Sequence, residues 1–165
     1  MSEAALMPDD RAPESALPAL PHTWRPRFVP VVAVTVAVLL VVAAGGMWIL
    51  LPADARAQFT WPQTATLGLF LLVLLYGLYR LGRLKVRADA GGLTIVNLIR
   101  TRRLEWAEVL RVNLRPGDPW VQLDIDDGTT VQVMAIQSAD GAWGKAAARE
   151  LAQLVAVQTH TSRND

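Results

Sequence analysis

The chain has 165 residues, 52% hydrophobic and 19% charged, with 16 Lys and Arg against 15 Asp and Glu and no cysteine. Soluble domains run at about 45–50% apolar and about 25% charged, so this chain is too oily to be one soluble domain throughout. Its length excludes a large enzyme, and the lack of cysteine excludes a disulfide scaffold, a thiolate metal site and a cysteine nucleophile.

Residues 1–23 carry Pro8, Pro13, Pro18 and Pro21, with Glu3, Asp9, Asp10 and Glu14 against Arg11, and no apolar period develops. A segment that buries no surface cannot offset its chain entropy, so a disordered N-terminal tail is expected. A two-helix hairpin is expected over residues 24–83. No charged residue occurs from Phe28 to Ala53 or from Ala57 to Tyr79. A bilayer core of about 30 Å takes about 20 apolar residues, so spans are predicted over about 28–51 and 61–81. In lipid only internal hydrogen bonding satisfies the backbone, which makes even the valine-rich first run helical. The connector Pro52–Thr60 is long enough only to turn the chain back.

Orientation follows from basic flanks. Arg25 and Arg27 precede the first span, Arg80, Arg83, Lys85 and Arg87 follow the second, and Arg56 alone lies between. Both termini are therefore expected in the cytoplasm, with the chain integral to the membrane and the connector on the far side. Trp24, Phe28, Tyr76 and Tyr79 would form an aromatic belt on that side, and Trp48, Phe59 and Trp61 one on the other. The competing reading is a cleaved signal sequence, because Ala53-Asp54-Ala55 and Ala55-Arg56-Ala57 have the small-x-small pattern. The 24-residue run exceeds the usual 7–15-residue signal core, and after cleavage the second span would still anchor the chain. Ala43-Ala44-Gly45-Gly46, Gly68 and Gly77 are read as ordinary packing within the hairpin, with an oligomer contact as the alternative.

From Leu84 the pattern becomes short runs of period two between turn residues, which is the signature of strands. Leu84–Ala88 is a candidate strand before the turn Asp89-Ala90-Gly91-Gly92. Leu93–Ile99 follows, apolar on both faces, and then a basic hairpin tip, Arg100-Thr101-Arg102-Arg103. Leu104–Trp106 returns from that tip. Leu110, Val112 and Leu114 are expected to point inward, and Pro116-Gly117-Asp118-Pro119 is a turn. Val121, Leu123 and Ile125 face the core, and Asp127-Gly128 is the strongest hairpin signal in the chain. Thr129–Ile136 pairs back. Beyond it the period becomes 3.6: Asp140 is a candidate cap, and Trp143, Ala147, Leu151, Leu154 and Val155 share a face. The expected build over residues 84–157 is a bent antiparallel sheet with a C-terminal helix, followed by a disordered tail at 158–165.

The run Gly92–Asn97, the basic tip through Arg103, Leu104-Glu105-Trp106-Ala107-Glu108-Val109, Arg115–Trp120 and Asp127-Gly128 resembles the bacterial pleckstrin-homology-like domains. It is most similar to the branch named after low molecular weight protein antigen 6, whose members commonly place two spans ahead of the domain. The resemblance implies about seven strands closed by the C-terminal helix, and no catalytic residues. Phosphoinositide-binding pleckstrin domains carry basic residues around the first hairpin loop. The loop matched to it here, Asp89–Gly92, is acidic and small, so inositol-lipid recognition in that mode is not expected.

His22 and His160 supply no metal pair and no base for a serine nucleophile, so neither an enzyme nor a cofactor is expected. Asp124, Asp126 and Asp127 read as a solvated face and a turn rather than a cation site. Gly141-Ala142-Trp143-Gly144-Lys145 lacks Walker spacing. Residues 84–165 hold ten basic and ten acidic side chains, which argues against nucleic acid. Two functions remain. One is a protein-binding or scaffold module, its partner and oligomeric state open. The other is sensing of anionic lipid through Arg100, Arg102 and Arg103, aided by the juxtamembrane Arg25, Arg27, Arg80, Arg83, Lys85 and Arg87. Arg outnumbers Lys 14 to 2, as GC-rich bacterial genomes favour.

Overall fold

The computed structural model describes residues 17–162, with side chains described through residue 159. Two long helices, α1 (Val29–Leu50) and α3 (Trp61–Gly82), pack against each other, joined through a short helix α2 (Ala53–Ala57). At about 1.5 Å per residue each 22-residue helix is about 33 Å long, so both are long and apolar enough to cross a membrane. Ala33 is the one buried residue of α1, and none of α3 is buried. Gln63 starts α3 by accepting the Thr60 backbone N–H at 2.9 Å. A Cβ added at Gly45, Gly46, Gly68 or Gly77 would meet nothing within 4 Å, so these glycines do not serve close packing inside the hairpin.

The rest is a seven-stranded, two-sheet domain closed by a helix, as the period-two pattern and the family resemblance require. The first sheet has the order β1-β2-β3-β4, with β1 His22–Trp24, β2 Lys85–Asp89, β3 Gly92–Val96 and β4 Thr101–Leu104. The second has the order β5-β6-β7, with β5 Val109–Asn113, β6 Trp120–Ile125 and β7 Thr130–Gln137. All pairings are antiparallel. Helix α4 (Ala142–Ser162) lays Ala147, Ala148, Leu151, Leu154 and Val155 on a core that includes Leu93, Ile95, Leu123, Val133 and Ile136.

Strand β1 corrects the expected boundary at residue 23. His22, Thr23 and Trp24 pair with Ala88, Arg87 and Val86, so a strand that precedes the hairpin completes the sheet that follows it. Trp24 is not in an interfacial belt; it is 2% exposed in the core, and its Nε1–H donates to Glu150 on α4 at 3.1 Å. Residues 1–16 lie outside the described residues. Two consequences follow. The segment ahead of α1 and the domain after α3 lie on the same side of the hairpin, and cleavage at Ala55 or Ala57 would remove a core tryptophan. The first hairpin of the seven strands is thus β1–β2, and its loop is the whole helical pair, not Asp89–Gly92.

Other boundaries moved for local reasons. Strand β3 stops at Val96, and Ile99 is exposed rather than inward. A bulge between Val109 and Arg111 adds one residue to β5. The extra residue shifts the phase, so Val109 is buried, Leu110 is exposed, and Val112 and Leu114 are half-buried against the core. Asp140 closes a single 3₁₀ turn before α4 and is buried, its carboxylate accepting the Arg27 backbone N–H at 3.4 Å. Helix α4 continues to Ser162, past the expected end at 157, and Thr159 donates to the Trp106 carbonyl at 3.1 Å.

Asn97 laces the two sheets together. It follows β3, and its side-chain amide donates to the Gln132 carbonyl at 2.6 Å and accepts the Met134 N–H at 3.1 Å. One amide thereby does for two backbone groups of β7 what a neighbouring strand would do.

Candidate functional site

The arginines grouped by sequence are separated by strand geometry. The turn between β3 and β4 is closed by the Asn97 N–H donating to the Arg100 carbonyl at 3.0 Å, so its tip is Leu98-Ile99, not the basic run. Arg100 flanks that tip. Arg102 lies on β4 opposite Ile95 and meets Asp127 at 3.4 Å. Arg103 lies opposite Thr94, its guanidinium 3.9 Å from Asp89 at the far end of the sheet. Hence no single surface gathers all three.

The juxtamembrane set fares differently. Arg25 and Arg27 sit between β1 and α1, and Arg80, Arg83 and Lys85 sit where α3 passes into β2, so these five ring the two helix ends. Arg87 stands two residues further up β2, opposite Thr23. Several have fixed positions: Arg27 lies over the Trp143 ring at 5.8 Å, Arg80 Nε–H donates to the Leu98 carbonyl at 2.9 Å, and Arg83 donates to Tyr79 Oη at 2.7 Å. Phe28, Tyr76 and Tyr79 are exposed at the same end.

A second surface was not anticipated. An open groove of about 540 Å³ runs between β5, the turn after it, and α4. Its walls are apolar at Val112, Leu114, Pro116, Ala148 and Ala152, and its rim carries Arg115, Lys145 and Arg149. None of these three cations is in an ion pair among the described residues, and no carboxylate lines the groove. Among the described residues no strand pairs with β5 on its outer side. The spacing Lys145/Arg149, four apart on one helix face, was legible. Their meeting with Arg115 was not, because it depends on how α4 crosses β5.

The acidic residues act locally. Asp124 accepts from Asn113 at 2.7 Å and lies 3.5 Å from the Thr130 hydroxyl. Asp127 accepts the Thr129 N–H at 2.8 Å; Thr129 and then the Arg102 guanidinium hold its carboxyl below the usual carboxylate range. Among the described residues no group of three His, Asp or Glu is placed to hold a metal ion. His22 meets Trp24 edge to face at 4.5 Å.

Comparison with known proteins agrees with this architecture. The sequence profile of a family described as "Bacterial PH domain" matches residues 83–153, from the end of α3 into α4. That match leaves out β1 and the helical pair. Uncharacterized proteins of Mycobacterium tuberculosis and Mycobacterium bovis are each 32% identical to the chain over 128 residues, covering 74% of this chain and 82% of theirs. No solved structure matches.

Proposed function

The chain belongs to the bacterial PH domain family, and on that premise we propose that it is a non-enzymatic module, anchored in the bacterial inner membrane, that binds a protein partner at the cytoplasmic face. Folds of this family are generally non-catalytic. The membrane reading is supported by the exposed apolar surface of α1 and α3, far larger than a soluble surface carries, and by six flanking basic residues against Arg56 in the connector. Two such helices joined to this domain also support the narrower placement beside low molecular weight protein antigen 6.

The groove between β5 and α4 carries the protein-binding reading. An unpaired strand edge supplies main-chain hydrogen bonds to an added strand, and apolar walls receive alternate side chains. Three cations on the rim, in no ion pair among the described residues, select an acidic one. The partner is therefore an extended, acidic segment of another protein. Panning a random peptide library against the full-length protein in lipid nanodiscs tests this. Enriched peptides should be acidic and should lose binding in Lys145→Glu with Arg149→Glu, and more so at high salt. Enrichment of basic peptides, or binding indifferent to that double substitution, would remove the reading.

The lipid-sensing alternative, with Arg100, Arg102 and Arg103 acting together, is weakened by the ion pairs of Arg102 and Arg103 with Asp127 and Asp89. Only Arg100 lies at the end of the domain where the helices leave.

A further inference from the structure

Turn chemistry makes the β3–β4 tip anomalous. A two-residue tip is normally built from Asn, Asp or Gly, because these residues suit tight-turn backbone and water. The β6–β7 loop obeys that preference with Asp126-Asp127-Gly128, three residues closed by the Ile125 N–H donating to the Thr129 carbonyl at 2.9 Å, where Gly128 has φ +80°. The β3–β4 tip instead holds Leu98 and Ile99, and Ile99 is 83% exposed. An apolar residue that neither packs nor favours its turn is a local inconsistency of the sort that marks a functional position.

Its height is fixed by two side chains, Arg80 and Asn97. Arg80, in the last turn of α3, donates to the Leu98 carbonyl, which holds the tip level with that turn. Tyr79 and Arg83 of the same turn are joined side chain to side chain, an amphipathic pair suited to a headgroup layer. Asn97 ties the base of the tip to β7, so the tip cannot swing away without breaking the link between the sheets. Beside it, Arg100 is exposed and in no ion pair among the described residues.

We propose that Leu98-Ile99 is a third point of membrane contact, with Ile99 inserted at the boundary of headgroups and acyl chains and Arg100 against lipid phosphate. This rests on the reading of α1 and α3 as membrane spans. The partner is the bilayer surface itself. The effect is to fix the tilt of the domain: α1 and α3 attach it at neighbouring strands β1 and β2, and the tip adds a contact one strand further across, beyond β3. The basic groove then keeps a defined orientation above the membrane.

Because the chain has no cysteine, Ile99→Cys places one environment-sensitive fluorophore at the tip of the full-length protein. The exposure of Ile99 leaves the fold unaffected by the change. The labelled protein is reconstituted in vesicles of phosphatidylglycerol and phosphatidylethanolamine containing lipids with quenchers both near the headgroup and along the acyl chain. Leu72→Cys, inside α3, and Ala90→Cys, at the opposite end of the first sheet, are the references. The tip label should be quenched at least half as strongly as that at position 72 and several-fold more than that at position 90. Quenching no greater than at position 90 overturns the contact while leaving the spans intact. Absence of quenching at position 72 overturns the spans and the contact with them. A tip label shielded from water but not quenched by lipid would mean that protein covers the tip, and would also overturn the proposal.

Discussion

Replacing Trp24 by Ala tests whether the segment ahead of the helices belongs to the domain. Trp24 is 2% exposed, and its ring lies between Val86 and α4. Truncating a buried Trp to Ala costs about 3–5 kcal/mol, the sum of lost transfer energy and the cavity left behind. The hydrogen bond to Glu150 adds little, because that carboxylate is exposed and water replaces the indole N–H. A domain stability of about 5–15 kcal/mol would lose about a fifth of its value or more. Hydrogen exchange followed by mass spectrometry, on the full chain in nanodiscs, reads this directly. At about 1.4 kcal/mol per tenfold, amides of β2 and α4 that open with the domain should exchange about 100-fold to several thousand-fold faster. Glu150→Gln keeps a side-chain carbonyl acceptor and should change exchange less than about tenfold, within the range of a single hydrogen bond. If Trp24→Ala left β2 and α4 protection unchanged, Trp24 would be an interfacial residue and β1 no part of the sheet.

Asn97→Ala removes both bonds to β7, water replacing the one to the exposed Gln132 carbonyl, and should cost about 0.5–1.5 kcal/mol in urea denaturation of the protein. Asn97→Asp should do no better, since a carboxylate oxygen would then face the Gln132 carbonyl. Gly92→Ala should prevent or severely impair folding, because Gly92 has φ +141° and a Cβ there falls on the Leu104 carbonyl oxygen. Gly117→Ala, where φ is +96° but the space is open, should be milder, and soluble yield with circular dichroism separates the two. Asp127 has a folded-state pKa below its ordinary value, so it contributes stability above about pH 4, lost as pH falls through the folded value. Asp127→Asn should therefore unfold earlier than wild type at neutral pH by a small margin that closes in acid. A margin that widened on acidification would contradict the Thr129 and Arg102 contacts as the cause.

Much of the domain was legible because its signals are local. Asp127-Gly128 marked a hairpin, with positive φ at Gly128 alone, and Trp143, Ala147, Leu151, Leu154 and Val155 marked one helix face through the 3.6-residue period. Bulges are not local signals of that kind. The extra residue at Leu110 turns Val109 inward and Leu110 outward while Val112 and Leu114 stay against the core, and nothing in Leu110-Arg111-Val112 announces it. Likewise Arg100, Arg102 and Arg103 look like one cluster along the chain, yet strand pairing directs Arg102 to Asp127 and Arg103 toward Asp89.

The sequence alone determined the two apolar helices, their turn and basic flanks, and the strand and helix periods of the C-terminal part. Each depends on a few consecutive residues and on the solvent they require. Tertiary structure alone decided that His22-Thr23-Trp24 is a strand. Three residues between prolines carry no period, and their stability comes from pairing with residues 86–88 across the whole helical hairpin and from burying one indole under α4. That long-range pairing ties both helix ends to one sheet, and the equally long-range crossing of α4 over β5 gathers Arg115, Lys145 and Arg149 around one groove.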